Sequence, residues 1–210
     1  MNLSKKWFWA ITVIVLILAI DQIIKILIKT NLCLAAEFHV TNWFYIRFVE
    51  NSGMAMGIQV GGKLFLSLFR IIATFAIAYY IHRLIKRGFK LSYILFVSMI
   101  FAGAVGNIVD SIFYGVIFSE STPTQVAALF PPDGGYGTWL HGKVVDMFYF
   151  PLFSFTWPSW IPFLGGSEFE FFKYIFNFAD ASISVGAIVL LLFYKKTFSL
   201  SFESKQDGED

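Results

Sequence analysis

Four stretches of the chain are apolar over about the length that a bilayer requires. They run from about Trp7 to Ile28, Leu64 to Ile85, Leu91 to Ile112 and Phe172 to Tyr194. A hydrocarbon layer roughly 30 Å thick takes about 20 residues of helix to cross. Backbone groups in lipid must find their hydrogen bonds inside the segment, so all four stretches are predicted to be helices. Two of them hold a carboxylate well inside the run. Asp21, Gln22 and Lys25 interrupt the first, and Asp180 sits inside the fourth, within "FNFADASISVGAIVLLLFY" at 176 to 194. A carboxyl group at the centre of a membrane helix costs on the order of 2.5 to 3.5 kcal/mol on insertion scales. That cost makes Asp180 a candidate for function.

The segments between the stretches have other patterns. Residues 37 to 60, "EFHVTNWFYIRFVENSGMAMGIQV", hold Val, Tyr, Ile and Phe and then a run of spaced glycines, which predicts short strands at the membrane surface. Residues 119 to 143 are rich in Ser, Thr, Pro and Gly, and "PPDGGYG" marks turns. Residues 148 to 172 carry Tyr149, Trp157, Trp160 and many Phe, as interfacial segments do. The prediction is an all-α integral membrane protein of four transmembrane helices, with a small outward-facing β element and an extended outer loop region. Its spans lie at about 7–28, 64–85, 91–112 and 172–194, and its outer segments at 30–63 and 113–171. Residues 1–198 form one membrane-embedded domain, and 199–210 a polar, frayed cytoplasmic tail.

Composition agrees with this class. Of 210 residues, 57% are hydrophobic and only 14% charged, where soluble domains run at roughly 25% charged. A net charge of +2 is too small to point to nucleic acid. The single cysteine, Cys33, excludes a disulfide within the chain, follows Leu32 and reads as a packed thiol. The first apolar stretch is too long for the core of a cleavable signal peptide, and none is expected. The position of the basic residues sets orientation. Lys5 and Lys6, then Arg83, Lys86, Arg87 and Lys90, then Lys195 and Lys196 fall on one side of a four-span chain. The positive-inside rule makes that side, and both termini, cytoplasmic.

On this topology four aspartates reach the outer half of the membrane. Asp21 lies about two turns below the outer end of its span, and Asp180 about two turns below the outer start of its own. Asp110 closes the third span. Asp146, in "HGKVVDMFYF", lies in a short apolar stretch on the same side. Bland readings compete for each. Asp21 and Lys25, four apart, suit a structural ion pair. Asp110, one turn beyond Asn107, suits a hydrogen-bonding anchor for the outer segment, and Asp146 could be a surface carboxylate. Asp180 has no basic residue within a turn. Two carboxyls sharing a dry pocket do not both ionise. The ionised one can take a proton from water while the protonated one donates to a carbonyl oxygen, which is hydrolysis without metal or covalent intermediate. Competing chemistries are poorly supplied: His39, His82 and His141 lack metal-ligand spacing, no serine–histidine nucleophile turn stands out, and "GIQVGG" is not followed by the Lys-Ser/Thr of a phosphate loop. No metal or other cofactor is expected.

Five blocks in order carry a family resemblance: "DQIIK" at 21–25, "NSGMAMG" at 51–57, "GAVGNIVD" at 103–110, "VVDM" at 144–147 and "FNFADASI" at 176–183. Together they resemble the bacterial lipoprotein signal peptidases, also called signal peptidase II. The resemblance implies an intramembrane aspartyl endopeptidase of the bacterial inner membrane. Such an enzyme removes the signal peptide of a prolipoprotein by cutting before a cysteine that carries diacylglycerol. It implies Asp146 and Asp180 as the catalytic pair, with Asp21, Lys25, Asn51, Gly103, Asn107, Asp110, Asn177 and Ala179 binding substrate or supporting the site. The three asparagines are expected to bond the substrate backbone or position the carboxyls, and Ala179 to leave room beside Asp180. Lipidated prolipoproteins and membrane lipid are the expected partners, and a monomer the expected state. Met147 and Ser111 stand where the family pattern has Phe and Arg. The connections from Asp110 to Asp146 and from Asp146 to Asp180 are longer than usual, which predicts an enlarged outer surface that gates access or grips lipid, and the aromatic outer segment with the short strands of residues 37 to 60 is expected to clamp the peptide in extended form. Other readings carry less: a proton-coupled transporter lacks the inverted repeat, other intramembrane aspartyl proteases require a Gly-x-Gly-Asp motif that is missing, and a non-catalytic adaptor leaves four costly carboxylates unexplained.

Overall fold

The computed structural model describes residues 1–52 and 62–203. Residues 53–57 of the second block, the end of the predicted surface strands and residues 204–210 of the tail lie outside the described residues. The helices are α1 (Leu3–Asn31), α2 (Gly62–Lys86), α3 (Leu91–Val109), a π-helical turn (Asp110–Tyr114) running into the short α4 (Gly115–Ile117), α5 (Phe178–Phe193) and α6 (Lys195–Phe202). The strands are β1 (Glu37–His39), β2 (Tyr45–Asn51), β3 (Val144–Tyr149), β4 (Phe153–Thr156), β5 (Glu168–Phe171) and β6 (Ile175–Phe176). Three stretches among the described residues are helical, long and apolar enough to cross a membrane: Leu3–Asn31, Leu64–Lys86 and Leu91–Ile117. A fourth is reached if α5 and α6, bent by 90° at their junction, are taken as one span. The chain divides into two compact units.

The first unit comprises Met1–Gln22, Phe65–Val109 and Phe178–Asp210. Its buried core is Ala10, Ile81, Leu84, Ile85, Tyr93, Ile94 and Val97. Its outward positions are also apolar: Ile72, Phe75, Leu191 and Phe193 are each more than 60% exposed. Water would penalise such a surface, and lipid would not. α3 and α5 pack through small residues, as membrane helices do where their backbones approach closely. A Cβ on Gly103 would meet Ile183 Cγ1 at 2.7 Å, and one on Gly106 would meet Ala179 Cβ at 3.2 Å. α5 begins at Phe178 rather than near Phe172, because Ile175 and Phe176 are spent on strand pairing. The start of the expected tail is also ordered. Ser201 shares a hydrogen bond with Tyr80 Oη at 2.6 Å, and its carbonyl accepts from Arg87 at 2.5 Å, so residues 199–202 continue α6.

The second unit comprises Ile23–Leu64 and Asp110–Asn177. Its main sheet has the order β1-β2-β3-β6, antiparallel throughout, and β4 and β5 form a separate two-stranded sheet. The predicted small β element is therefore two sheets, and they take in much of the expected outer loop. β3 is the largest surprise. Its sequence, "VVDMFY", is β-branched or aromatic except at Asp146 and Met147, and its first four residues are buried. Phe48, Tyr114, Phe118, Val145 and Met147 form the core beneath the sheet. Phe148 and Phe150 pack on Phe176, and Phe150 stacks on Phe44 at 4.7 Å, which locks β3 to both neighbours.

Candidate active site

Asp146 is held in the middle of β3 and is 4% exposed. Val49 of β2 stands opposite it, and Asn51 stands opposite Val144. Side chains two apart on a strand share a face, so Asn51 is the diagonal neighbour of Asp146. Its amide donates to Asp146 Oδ2 at 3.3 Å. A register shift between Ile46 and Val49 sets this alignment, and bulges commonly re-aim side chains beside functional sites. On the other side β6 ends at Phe176, and the next residue, the fully buried Asn177, donates its amide to Asp146 Oδ1 at 2.7 Å. Both oxygens of one carboxyl are thus gripped by asparagines from two different strands' ends.

The first unit positions Asp180 in the first turn of α5. Asn107 of α3 donates to Asp180 Oδ1 at 2.7 Å. Gly103, Gly106 and Asn107 are spaced i, i+3 and i+4, so they share one helix face. The bare glycines let α5 come close enough for that amide to reach. Asp21, fully buried, accepts the Ala179 backbone N–H at 2.9 Å through Oδ1 and the Gln22 amide at 3.1 Å through Oδ2. Gln22 also donates to the Gly106 carbonyl at 3.2 Å. An acceptor for the N–H of Ala179 satisfies one of the orphan donors at the start of α5. Asp21 and Gln22 therefore fix the residue just before Asp180. Ala179 is itself fully buried, with the place of a Gly106 Cβ 3.2 Å from its own Cβ, so a larger side chain would collide there.

Lys25 and Asp110 meet from distant parts of the second unit. Their side chains are wholly buried and Lys25 Nζ lies 2.7 Å from Asp110 Oδ2. The same Asp110 oxygen accepts the Val145 N–H at 3.3 Å. Asp110 thus bonds the strand residue next to Asp146, and Lys25 has this partner as well as any on its own helix. Asp110 also opens the π-helical turn, a feature that recurs at functional sites.

A further buried cluster escaped the sequence reading. Lys29 bonds Glu50, and its ammonium also reaches Ser121 Oγ at 2.9 Å. Ser121 donates to Glu50 Oε1 at 2.9 Å, and Lys143 Nζ lies 3.1 Å from Glu50 Oε2. The only signal in the chain is that Lys29 follows Lys25 by one turn and that Glu50 precedes Asn51. Burial pushes the Glu50 carboxyl up, but the bonds from Lys29, Ser121 and Lys143 outweigh it and hold Glu50 below its ordinary value of 4.5. A carboxylate whose folded pKa is depressed lends stability above its unfolded pKa, and that stability is lost as pH falls through the folded value. The melting temperature is therefore expected to drop as pH falls below about 4.5, and Glu50→Gln to flatten that acid limb. Thermal unfolding of both proteins in detergent from pH 7 to pH 3 checks this. Parallel acid limbs would remove Glu50 as the cause.

Among the described residues no group of three or more His, Cys, Asp or Glu side chains is placed to hold a metal ion.

The family model described as Signal peptidase (SPase) II matches residues 13–196. The chain is 55% identical over 194 residues to a lipoprotein signal peptidase of Porphyromonas gingivalis, covering 92% of this chain and 85% of that one. It is 34% identical over 197 residues to a lipoprotein signal peptidase of Amoebophilus asiaticus, covering 90% and 78%. Among solved structures, a bacterial membrane enzyme determined by the in meso method aligns with a TM-score of 0.60 at 24% identity, over 96% of this chain and 93% of that one. That last likeness is one of fold.

Proposed function

The chain belongs to the signal peptidase II family of aspartic peptidases, multi-pass membrane proteins, and from that premise we propose that it removes signal peptides from diacylglyceryl-modified prolipoproteins with Asp146 and Asp180 as its acid–base pair. The observation that carries the assignment is the treatment of the two carboxyls. Each is held by asparagine amides, Asp146 by Asn51 and Asn177 and Asp180 by Asn107. All five residues lie in the blocks that carry the family resemblance. Asn177, which bonds the first aspartate, precedes the second by only three residues.

In the proposed reaction the ionised aspartate takes a proton from water. The water oxygen attacks the carbonyl carbon of the residue before the lipidated cysteine, and the protonated aspartate donates to the carbonyl oxygen. As the tetrahedral gem-diol intermediate collapses, the C–N bond breaks, the cysteine nitrogen takes the proton that the first aspartate removed from water, and a hydroxyl of the intermediate returns its proton to the second. The signal peptide leaves with a new carboxyl terminus and the lipoprotein with a free amine. The asparagines hold the carboxyls so that little reorganisation is needed at that moment. Asp21, Lys25, Gly103, Asp110 and Ala179 serve by position: they seat α5 and β3.

The same reading takes α5 as the fourth span, 16 residues long and so about 24 Å, short of a full hydrocarbon layer. It places residues 1–198 in one membrane-embedded domain with both termini cytoplasmic, the site toward the outer face, and the enzyme acting as a monomer. β1, β2 and β3 would then lie where an extended peptide could run beside them.

Purified protein in phosphatidylglycerol vesicles is expected to cut a diacylglyceryl-modified prolipoprotein peptide immediately before the cysteine, and to leave the unmodified peptide nearly untouched. Mass spectrometry of the products reads both. Proton or solute flux without cleavage of either peptide would move the chain to the transporter class.

A further inference from the structure

The sheet of β4 and β5 is built inside out for a protein in water. Phe153 pairs with Phe171 and Phe155 with Phe169, while Ser154 pairs with Glu170 and Thr156 with Glu168. Alternation therefore gives one face of four phenylalanines and one face of two hydroxyls and two carboxylates. The polar face is the one that meets the protein, at Glu170, while its Ser154, Thr156 and Glu168 are exposed. Tyr149 of β3 donates to Glu170, and Ser154, Glu168, Glu170 and Lys173 line an open cavity of about 540 Å³ with Tyr45 and Tyr149, to which Pro151, Phe153 and Phe169 also contribute. Burial and the bond to Glu170 push the Tyr149 phenol up to about 12, so it remains a donor at neutral pH. The phenylalanine face is left outside, with Phe153 53%, Phe155 40%, Phe169 37% and Phe171 43% exposed. Beyond it the connecting loop presents Trp160 at 79% and a wholly exposed Phe163.

We propose that the β4–β5 hairpin is a membrane-surface anchor, lying with its phenylalanine face and its Trp160–Phe163 tip in the headgroup–acyl boundary of the bilayer and its carboxylates in water. Two-stranded hairpins are marginal in water alone, and this one exposes the face that would have to stabilise it. Lipid supplies the missing cover. The aromatic tip has the composition favoured at the headgroup level. The hairpin is also close in sequence to an apolar helix. Only residues 172–177 separate β5 from the apolar helix α5, and within them Phe172 and Tyr174 are 46% and 63% exposed. The carboxylates on the opposite face bar the reverse orientation, since Glu168 and Glu170 would have to leave water.

The test uses the full chain with Cys33→Ser and one new cysteine at a time, Phe155→Cys, Phe163→Cys or Thr156→Cys, each labelled with a polarity-sensitive fluorophore. In vesicles of phosphatidylethanolamine and phosphatidylglycerol, labels at 155 and 163 are expected to shift to shorter wavelength and to be quenched by lipids that carry a nitroxide near the headgroup. The label at 156 is expected to do neither. Phe163 is fully exposed, so its replacement leaves folding intact even if Phe155→Cys does not. Equal, water-like emission at 155, 163 and 156 would overturn the anchor. So would quenching that appears only after a lipidated peptide is added, which would make the face a grip for substrate chains. Shielding that fades as the protein is diluted into excess lipid would assign the face to a second copy of the chain. None of these readouts depends on Asp146 or Asp180, so failure here leaves the peptidase reading standing, and the reverse.

Discussion

Asp146→Asn and Asp180→Asn, made separately, are each expected to abolish cleavage of a diacylglyceryl-modified peptide while the protein still folds and inserts. Asparagine keeps the shape of the side chain and one carbonyl acceptor, so part of the grip of Asn51 and Asn177 on position 146, and of Asn107 on position 180, survives. It cannot take up or give a proton at neutral pH. A positioned acid or base contributes about 10²- to 10⁴-fold to rate, and each aspartate has one such role that its partner cannot fill. Single-turnover cleavage should therefore fall by at least about 10²- to 10⁴-fold for either variant. The wild-type rate should follow a bell-shaped pH profile that belongs to the pair jointly. Melting curves in detergent supply the control: an amide facing an amide costs on the order of 1 to 3 kcal/mol, which moves the transition without removing it. Retention of a substantial fraction of the rate by either variant, with an unchanged melt, would take that aspartate out of the chemistry.

How much of this was legible from the residues differs by element. The continuous apolar runs mark α1, α2 and α3 because a membrane helix is apolar all round, and no partner is needed to read it. The charged interruptions stand out for the same reason. The five blocks carry both asparagine–aspartate arrangements, Asn51 and Asn177 on Asp146 and Asn107 on Asp180, since each amide that holds a carboxyl lies in one of those blocks. Strand β3 was harder. Six residues, "VVDMFY", are too few for periodicity to decide between a strand and a dip into lipid, and the pairing with β2 and β6 is non-local. The β4–β5 hairpin hid differently. Its alternation in "FSFT" and "EFEF" is perfect, but each run is four residues long, and an outward apolar face gives the same composition as an irregular interfacial segment. The Glu50 cluster was invisible because Lys29, Ser121 and Lys143 reach it from three separate places in the chain. The start of α5 shifted because two residues that suit a helix in lipid, Ile175 and Phe176, were claimed by the sheet.

Lys25→Met should unsettle the protein far more than an ordinary single substitution, by about 3 to 5 kcal/mol, the usual result of stripping one partner from a buried ion pair. Lys25 and Asp110 are both fully buried and 2.7 Å apart, so the variant leaves a carboxylate in a dry interior without that cation. Methionine fills nearly the same volume, so packing alone does not explain a large loss. The harm should spread toward the site, because Asp110 Oδ2 also holds the N–H of Val145, next to Asp146. Adding Asp110→Asn removes the charge but keeps an oxygen for Val145. The double variant is therefore expected to melt higher than Lys25→Met alone, and to recover part of the peptide-cleaving rate with it. A double-mutant cycle on melting temperature in detergent measures the coupling, for which contacting pairs give roughly 0.5 to 3 kcal/mol. Strictly additive effects would mean that the two charges stabilise the fold independently. The seating of β3 beneath Asp146 would then have to rest on the strand's pairing with β2 and β6 alone.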